Sequence, residues 1–176
     1  MKDNIIHASG VNKILIADGG KDEIIEKHLR NKSNYVNLDY DYFKYPYDRD
    51  YKTFFKKLSD IINKVKTKYC LLADNDDFFL PKSIQNALNF LNKNEEFVSV
   101  RGCIGSFHLD SKNKLIKNIS VFKEEESLVF NDPIERLKKG FSSNHSYLPT
   151  YYDVHKTENL KKNYQILHNM NTEEFL

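Results

Sequence analysis

The chain has 176 residues, 40% of them hydrophobic and 30% charged, with a formal net charge of +2, which suits one globular domain able to bury a core. Its lysines are spread among acids instead of forming a basic stripe interleaved with aromatics, so no nucleic-acid partner is expected. No apolar run approaches the ~20 residues of a membrane span, and the opening MKDNIIHASG lacks the apolar core of a secretory signal, so no integral membrane segment and a cytoplasmic location are expected.

Lys13 to Ala17 (KILIA) is a short apolar run ending in Asp18-Gly19-Gly20 and reads as a buried strand. Asp22 caps a short helix carrying Ile24, Ile25 and Leu29 on one side. Asn34 to Leu38 reads as a second short strand. The stretch 39–51, rich in Tyr and Asp and holding Pro46, reads as a loop whose tyrosines pack on one another. From Asp50 to Lys66 the apolar residues Phe54, Leu58, Ile61, Ile62 and Val65 recur at helical spacing. Tyr69 to Ala73 (YCLLA) is a second buried strand, running into Asp74-Asn75-Asp76-Asp77. Pro81 stands where a helix begins, since its missing N–H is not needed there, and Ile84, Ala87, Leu88 and Leu91 carry that helix to about Asn92.

Phe97 to Ile104 (FVSVRGCI) reads as a third strand, and the polar stretch from Asp110 to Glu126 as the most disordered part. Asp132-Pro133 to Gly140 carries a cap, a first-turn proline and a terminal glycine, the marks of a short helix. Tyr147 to Val154 is strand-like, and Thr157 to about His168 a last helix. Cys70 and Cys103 both lie in apolar runs and read as small buried hydrophobes. No zinc-type spacing occurs among the cysteines and histidines. His145 and His155 read as surface residues, and Asn118-Ile119-Ser120 and Asn144-His145-Ser146 match a glycosylation acceptor pattern without a secretory signal to support it.

Strand and helix alternate, which predicts an open, mostly parallel sheet covered by helices. Ligands bind such sheets beyond the carboxyl ends of the strands, and there both early strands end in acids, Asp18 and Asp74. Carboxylates at a strand end suit Mg²⁺ or Mn²⁺, hard ions that share their shell with water and phosphate oxygens. The Asp-x-Asp spacing occurs at Asp39–Asp41, Asp48–Asp50 and Asp74–Asp76. The first two fall in the Tyr-rich stretch and read as solvated, whereas the third follows an apolar strand and leads through Phe78-Phe79-Leu80-Pro81 into a helix.

The stretch Tyr69 to Leu91 (YCLLADNDDFFLPKSIQNALNFL) resembles the family 2 glycosyltransferases and related short GT-A proteins, in which a strand ends in Asp-x-Asp-Asp before an apolar residue, a proline and a helix. Ile14 to Asp22 (ILIADGGKD) resembles their other signature, and the two come in the family's order. The resemblance implies a GT-A fold, three α/β/α layers around a mostly parallel sheet, and transfer of a sugar from a nucleotide-sugar donor to the hydroxyl of a glycan or lipid-linked acceptor. It further implies that Asp18 contacts the nucleotide base, that Asp74 lies near the ribose or diphosphate, and that Asp76, with Asp77, ligates Mn²⁺ or Mg²⁺.

Two departures accompany it. Family members begin with a strand and helix for which Met1 to Asn12 leave no room, so residues 1–176 are expected to form a single domain truncated at the N-terminus, with truncation at the C-terminus as a further alternative. The family's late catalytic base has two counterparts here: Glu174, in the pair Glu173-Glu174, and Asp153, at a strand-like end near His155. Alternative readings are a nucleotidyltransferase, of whose glycine-rich phosphate loop Gly19-Gly20-Lys21 is a faint echo, and a non-catalytic nucleotide-sugar-binding domain.

Overall fold

A computed structural model describes residues 13–110, 112, 115–121, 128–140 and 150–170. They form a mixed α/β domain in the order β1 (Ile14–Asp18), α1 (Glu23–Arg30), β2 (Tyr40–Lys44), α2 (Tyr51–Asn63), β3 (Tyr69–Cys70), α3 (Pro81–Lys93), β4 (Ser99–Val100), β5 (Gly105–Leu109), β6 (Ile116–Val121), α4 (Pro133–Gly140), β7 (Val154–Lys156) and α5 (Thr157–Asn169).

The helices follow from local chemistry. Asp22 accepts hydrogen bonds from the Ile24 and Ile25 amides and so caps α1. Asp50 and Thr53 form a reciprocal capping box on α2. α3 starts without a side-chain cap, on Pro81. Among the described residues no helix is long and apolar enough to cross a membrane.

The strands depart further from expectation. The second strand is Tyr40–Lys44, inside the stretch expected to be a loop, and it runs parallel to β1 from Ile14↔Tyr40 to Asp18↔Lys44. Its aromatics alternate as a strand requires: Phe43 packs toward α2, while the Tyr40 hydroxyl on the other face donates to Leu29 O at 2.6 Å. Asn34–Leu38 is no strand, because the Asn31 side chain accepts from the Ser33 amide and hydroxyl and winds Lys32–Tyr35 into a 3₁₀ turn. Only Tyr69 and Cys70 of the YCLLA run enter a ladder, and only Ser99 and Val100 of FVSVRGCI.

The mostly parallel sheet is also corrected. Among the described residues parallel pairing is confined to β1 and β2, because the late strand β7 inserts between β3 and β4 and is antiparallel to both. Of the strand-like stretch Tyr147 to Val154, residues 147–149 lie outside the described residues, Thr150–Tyr152 form a 3₁₀ turn, and the strand itself is Val154–Lys156. β5 and β6 pair as a separate antiparallel hairpin, whose second strand lies in the stretch expected to lack order. Its register shifts between Ser106 and His108, where Asn118 adopts a left-handed backbone with φ 52°, as a bulge permits.

Two apolar clusters flank β3. Cys70 and Leu72 pack with Leu15, Ala17 and Phe43 against Leu58, Ile61 and Ile62 of α2 and Leu160 and Tyr164 of α5. Tyr69 and Leu71, pointing the opposite way as alternate residues do, pack against Ala87 and Leu91 of α3 together with Val154. Helices therefore cover both faces of this strand. Full burial of side chains such as Ile62 and Leu91 contributes about 1.5–3 kcal/mol each.

The topology decides where the site lies. β3 and β4 are each antiparallel to β7 and so run in the same direction. The residues that follow β3 and β4 and those that precede β7 consequently meet on one rim.

Candidate functional site

Asp18 closes β1. Its Oδ1 accepts from the Gly20 amide at 2.7 Å, and its Oδ2 accepts from the Tyr42 hydroxyl and from Lys44 Nζ at 3.0 Å. Burial pushes the Asp18 carboxyl up, but the hydrogen bonds from Tyr42, Gly20 and Lys44 outweigh it and hold the carboxyl below the ordinary aspartate value. The same contact, added to burial, raises the Tyr42 phenol. A carboxyl whose folded pKa is depressed adds stability that is complete above its unfolded pKa of about 3.9 and is lost as the pH falls through the folded value. Asp18→Asn is therefore expected to flatten the fall in urea midpoint below about pH 4 relative to the parent chain; an unchanged acid limb would show that Asp18 gains nothing from these donors.

Gly19 beside it is required by a close approach. A Cβ there would overlap the Asp48 carboxylate, which is ion-paired with the buried Lys57 ammonium. The two Asp-x-Asp copies read as solvated thus have structural partners. Asp48 pairs with Lys57, Asp50 caps α2, and Asp41 pairs with Lys13 at 2.9 Å and Lys32 at 3.5 Å.

At the end of β3 the three aspartates divide. Asp74 is fastened by two phenols, Tyr151 to Oδ1 at 3.1 Å and Tyr152 to Oδ2 at 2.9 Å. The Tyr152 phenol is raised by burial first, then by a hydrogen bond to Asp77 and by the Asp74 carboxylate; burial first, and then the Asp74 carboxylate, raise the Tyr151 phenol. The same causes push the phenol of Tyr164 on α5 up to about 12. Asp76 and Asp77 instead line an open cleft of about 420 Å³, whose walls include Phe79, Arg101, Ser106 and Tyr152. No family model, curated protein or solved structure matches the chain. The site therefore stands on its own geometry.

Among the described residues no group of three or more His, Cys, Asp or Glu side chains is disposed to hold a metal ion. The carboxylates among the described residues lining the cleft are Asp76 and Asp77, and two carboxylates suit a Mg²⁺ or Mn²⁺ ion that keeps waters and takes its other ligands from phosphate. Asp153 is 4% exposed, and both its oxygens are engaged, Oδ1 by Arg101 Nε at 2.7 Å and Oδ2 by Ser99 Oγ at 2.9 Å. Glu173, Glu174, His145 and Asn144 lie outside the described residues.

Other expectations are corrected. Cys103 is exposed on the cleft wall rather than buried, while Cys70 is partly covered. His155 is buried in β7 instead of lying on the surface. Of the tyrosines in 40–51, Tyr42 and Tyr45 bind Asp18 and Asp60 within the fold, the latter at 2.5 Å. Sequence reasoning missed Arg101, Tyr151 and Tyr152. The signal for Arg101 was present, since an arginine inside the apolar run FVSVRGCI has to find a counter-charge or an opening to solvent.

Proposed function

We propose that the chain is a glycosyltransferase domain of the GT-A type, moving a sugar from a nucleotide-sugar donor to an acceptor hydroxyl on a glycan or lipid-linked substrate. The observation that carries the reading is the division of labour at the end of β3. Asp76 and Asp77 line one cleft, with Tyr152 beside Asp77, while Asp74 is held by Tyr151 and Tyr152. A turn that only solubilised a strand end would have no need to fix one carboxylate with two hydroxyls. Mn²⁺ or Mg²⁺ held by Asp76 and Asp77 would supply Lewis acidity that offsets the charge developing on the departing diphosphate.

The chain's own groups take the remaining tasks. A carboxylate offers about four lone-pair positions, and three donors already reach Asp18. One position is left for an N–H of the nucleotide base, on a carboxylate kept ionised by its neighbours. Asp74 reaches the ribose or diphosphate only with its tyrosines attached, which fixes its orientation. Of the two candidate bases, Asp153 is already engaged at both oxygens; it suits a structural task, and deprotonation of the acceptor is left to Glu174.

The test is calorimetry with UDP and GDP, with and without Mn²⁺. One of the two is expected to bind in a metal-dependent manner, with Asp76→Ala weakening that binding at least tenfold. Absence of diphosphate-nucleotide binding under either condition would overturn the reading. Metal-dependent binding without turnover of any nucleotide sugar would reduce it to a nucleotide-sugar-binding domain.

A further inference from the structure

We infer that Arg101, held in place by Asp153, is an anion clamp that engages the diphosphate of the ligand independently of the metal. The ligand's identity rests on the reading above; the clamp rests on the geometry. Arg101 directly follows β4, and Asp153 directly precedes β7, with Val100 and Val154 paired between the two strands. The ladder itself therefore brings the guanidinium and the carboxylate together on the rim. Asp153 is almost wholly buried, with its second oxygen held by Ser99. Arg101 keeps a fifth of its side chain exposed and forms part of the cleft wall.

Burying an arginine–carboxylate pair carries a desolvation penalty that an apolar pair of the same volume would avoid. Such a pair is a costly way to fill a core. It is an effective way to keep a cation rigid at the edge of a cavity. The guanidinium is planar, always charged, and matched to phosphate oxygens, and a carboxylate at Nε fixes its plane.

Charge in the cleft points the same way. Asp76 and Asp77 repel a diphosphate until a cation lies between them. Among the described residues lining the cleft, Arg101 is the one that carries positive charge. A diphosphate entering there meets the guanidinium as well as the carboxylates, and the two have separable effects on binding. Asp153 is in this account a positioning residue, acting on the ligand only through Arg101.

The experiment titrates inorganic pyrophosphate into the full chain in EDTA, then in Mn²⁺, for the parent and for Arg101→Gln, Arg101→Lys, Asp153→Asn and Asp76→Ala, each confirmed folded by its thermal melt. The parent is expected to bind pyrophosphate in EDTA. Arg101→Gln should weaken this at least tenfold, Arg101→Lys less, and Asp153→Asn severalfold. Asp76→Ala should bind as tightly as the parent or more tightly in EDTA, yet lose the gain on adding Mn²⁺. Parent-like affinity in both Arg101 variants, or no parent binding without metal, would overturn the clamp. If UDP and GDP bind no better than pyrophosphate and no sugar is transferred while the Arg101 dependence persists, the glycosyltransferase reading fails and the clamp stands.

Discussion

Asp153→Ala is expected to lower folding stability by about 3–5 kcal/mol, because it removes one partner of a largely buried ion pair. The Arg101 side chain is only 20% exposed, so water cannot replace the lost carboxylate without opening the junction of β4 and β7. Ser99 Oγ loses its acceptor in the same step. The strands affected, β4 and β7, are an edge and the centre of the three-stranded sheet. The loss is therefore expected as a lowered urea midpoint with little change in slope, and as a drop in melting temperature on the order of 10 °C. Asp153→Asn keeps a carbonyl oxygen for the arginine and should lose less than half as much. A general base removed by mutation would abolish turnover and leave the melt almost unchanged, so the same variants separate the two roles of Asp153. A loss under about 1 kcal/mol, in the range of solvated pairs, would mean that the ion pair is open to water.

What was legible in the sequence was local, and what was hidden was distant. The helices α2, α3 and α5 follow from apolar residues three and four positions apart, helped by a cap on α2 and a leading proline on α3, all readable within one segment. β1 and the acids at the ends of β1 and β3 were visible for the same reason. β2 was missed because tyrosines, aspartates and a nearby proline resemble loop composition, and only the alternation Tyr40, Tyr42 against Phe43 gives the strand away. The place of β7 between β3 and β4 could not be read, since nothing in Val154-His155-Lys156 names partners more than fifty residues earlier. The same distance hid half of the site. Asp76 and Asp77 announce themselves by spacing, but the bonds from Tyr151 and Tyr152 to Asp74 and from Arg101 to Asp153 exist only once β7 is in place.

Leu91→Ala should separate stability from site geometry. Leu91 is fully buried in the cluster formed by α3, Val154, Tyr69 and Leu71. Truncating it removes the apolar contacts by which α3 covers its face of β3, and the cost is expected at about 2.5–5 kcal/mol, depending on how far the cavity collapses. The site should feel little of this. Leu91 stands ten residues beyond Pro81, roughly 15 Å along the helix at 1.5 Å per residue, whereas the carboxylates of the cleft precede Pro81. The hydrogen bonds that fasten the site run from Tyr151 and Tyr152 to Asp74 and from Arg101 to Asp153, none of them residues of α3. Pyrophosphate affinity in EDTA is therefore expected to stay within about twofold of the parent, a change of some 0.4 kcal/mol, in a protein that melts well below it. Asp153→Asn should show the opposite balance, a modest loss of stability with a severalfold loss of affinity. If both variants lost affinity in proportion to stability, binding would merely report the folded fraction, and the rim formed by β3, β4 and β7 would not be the rigid frame that the clamp requires.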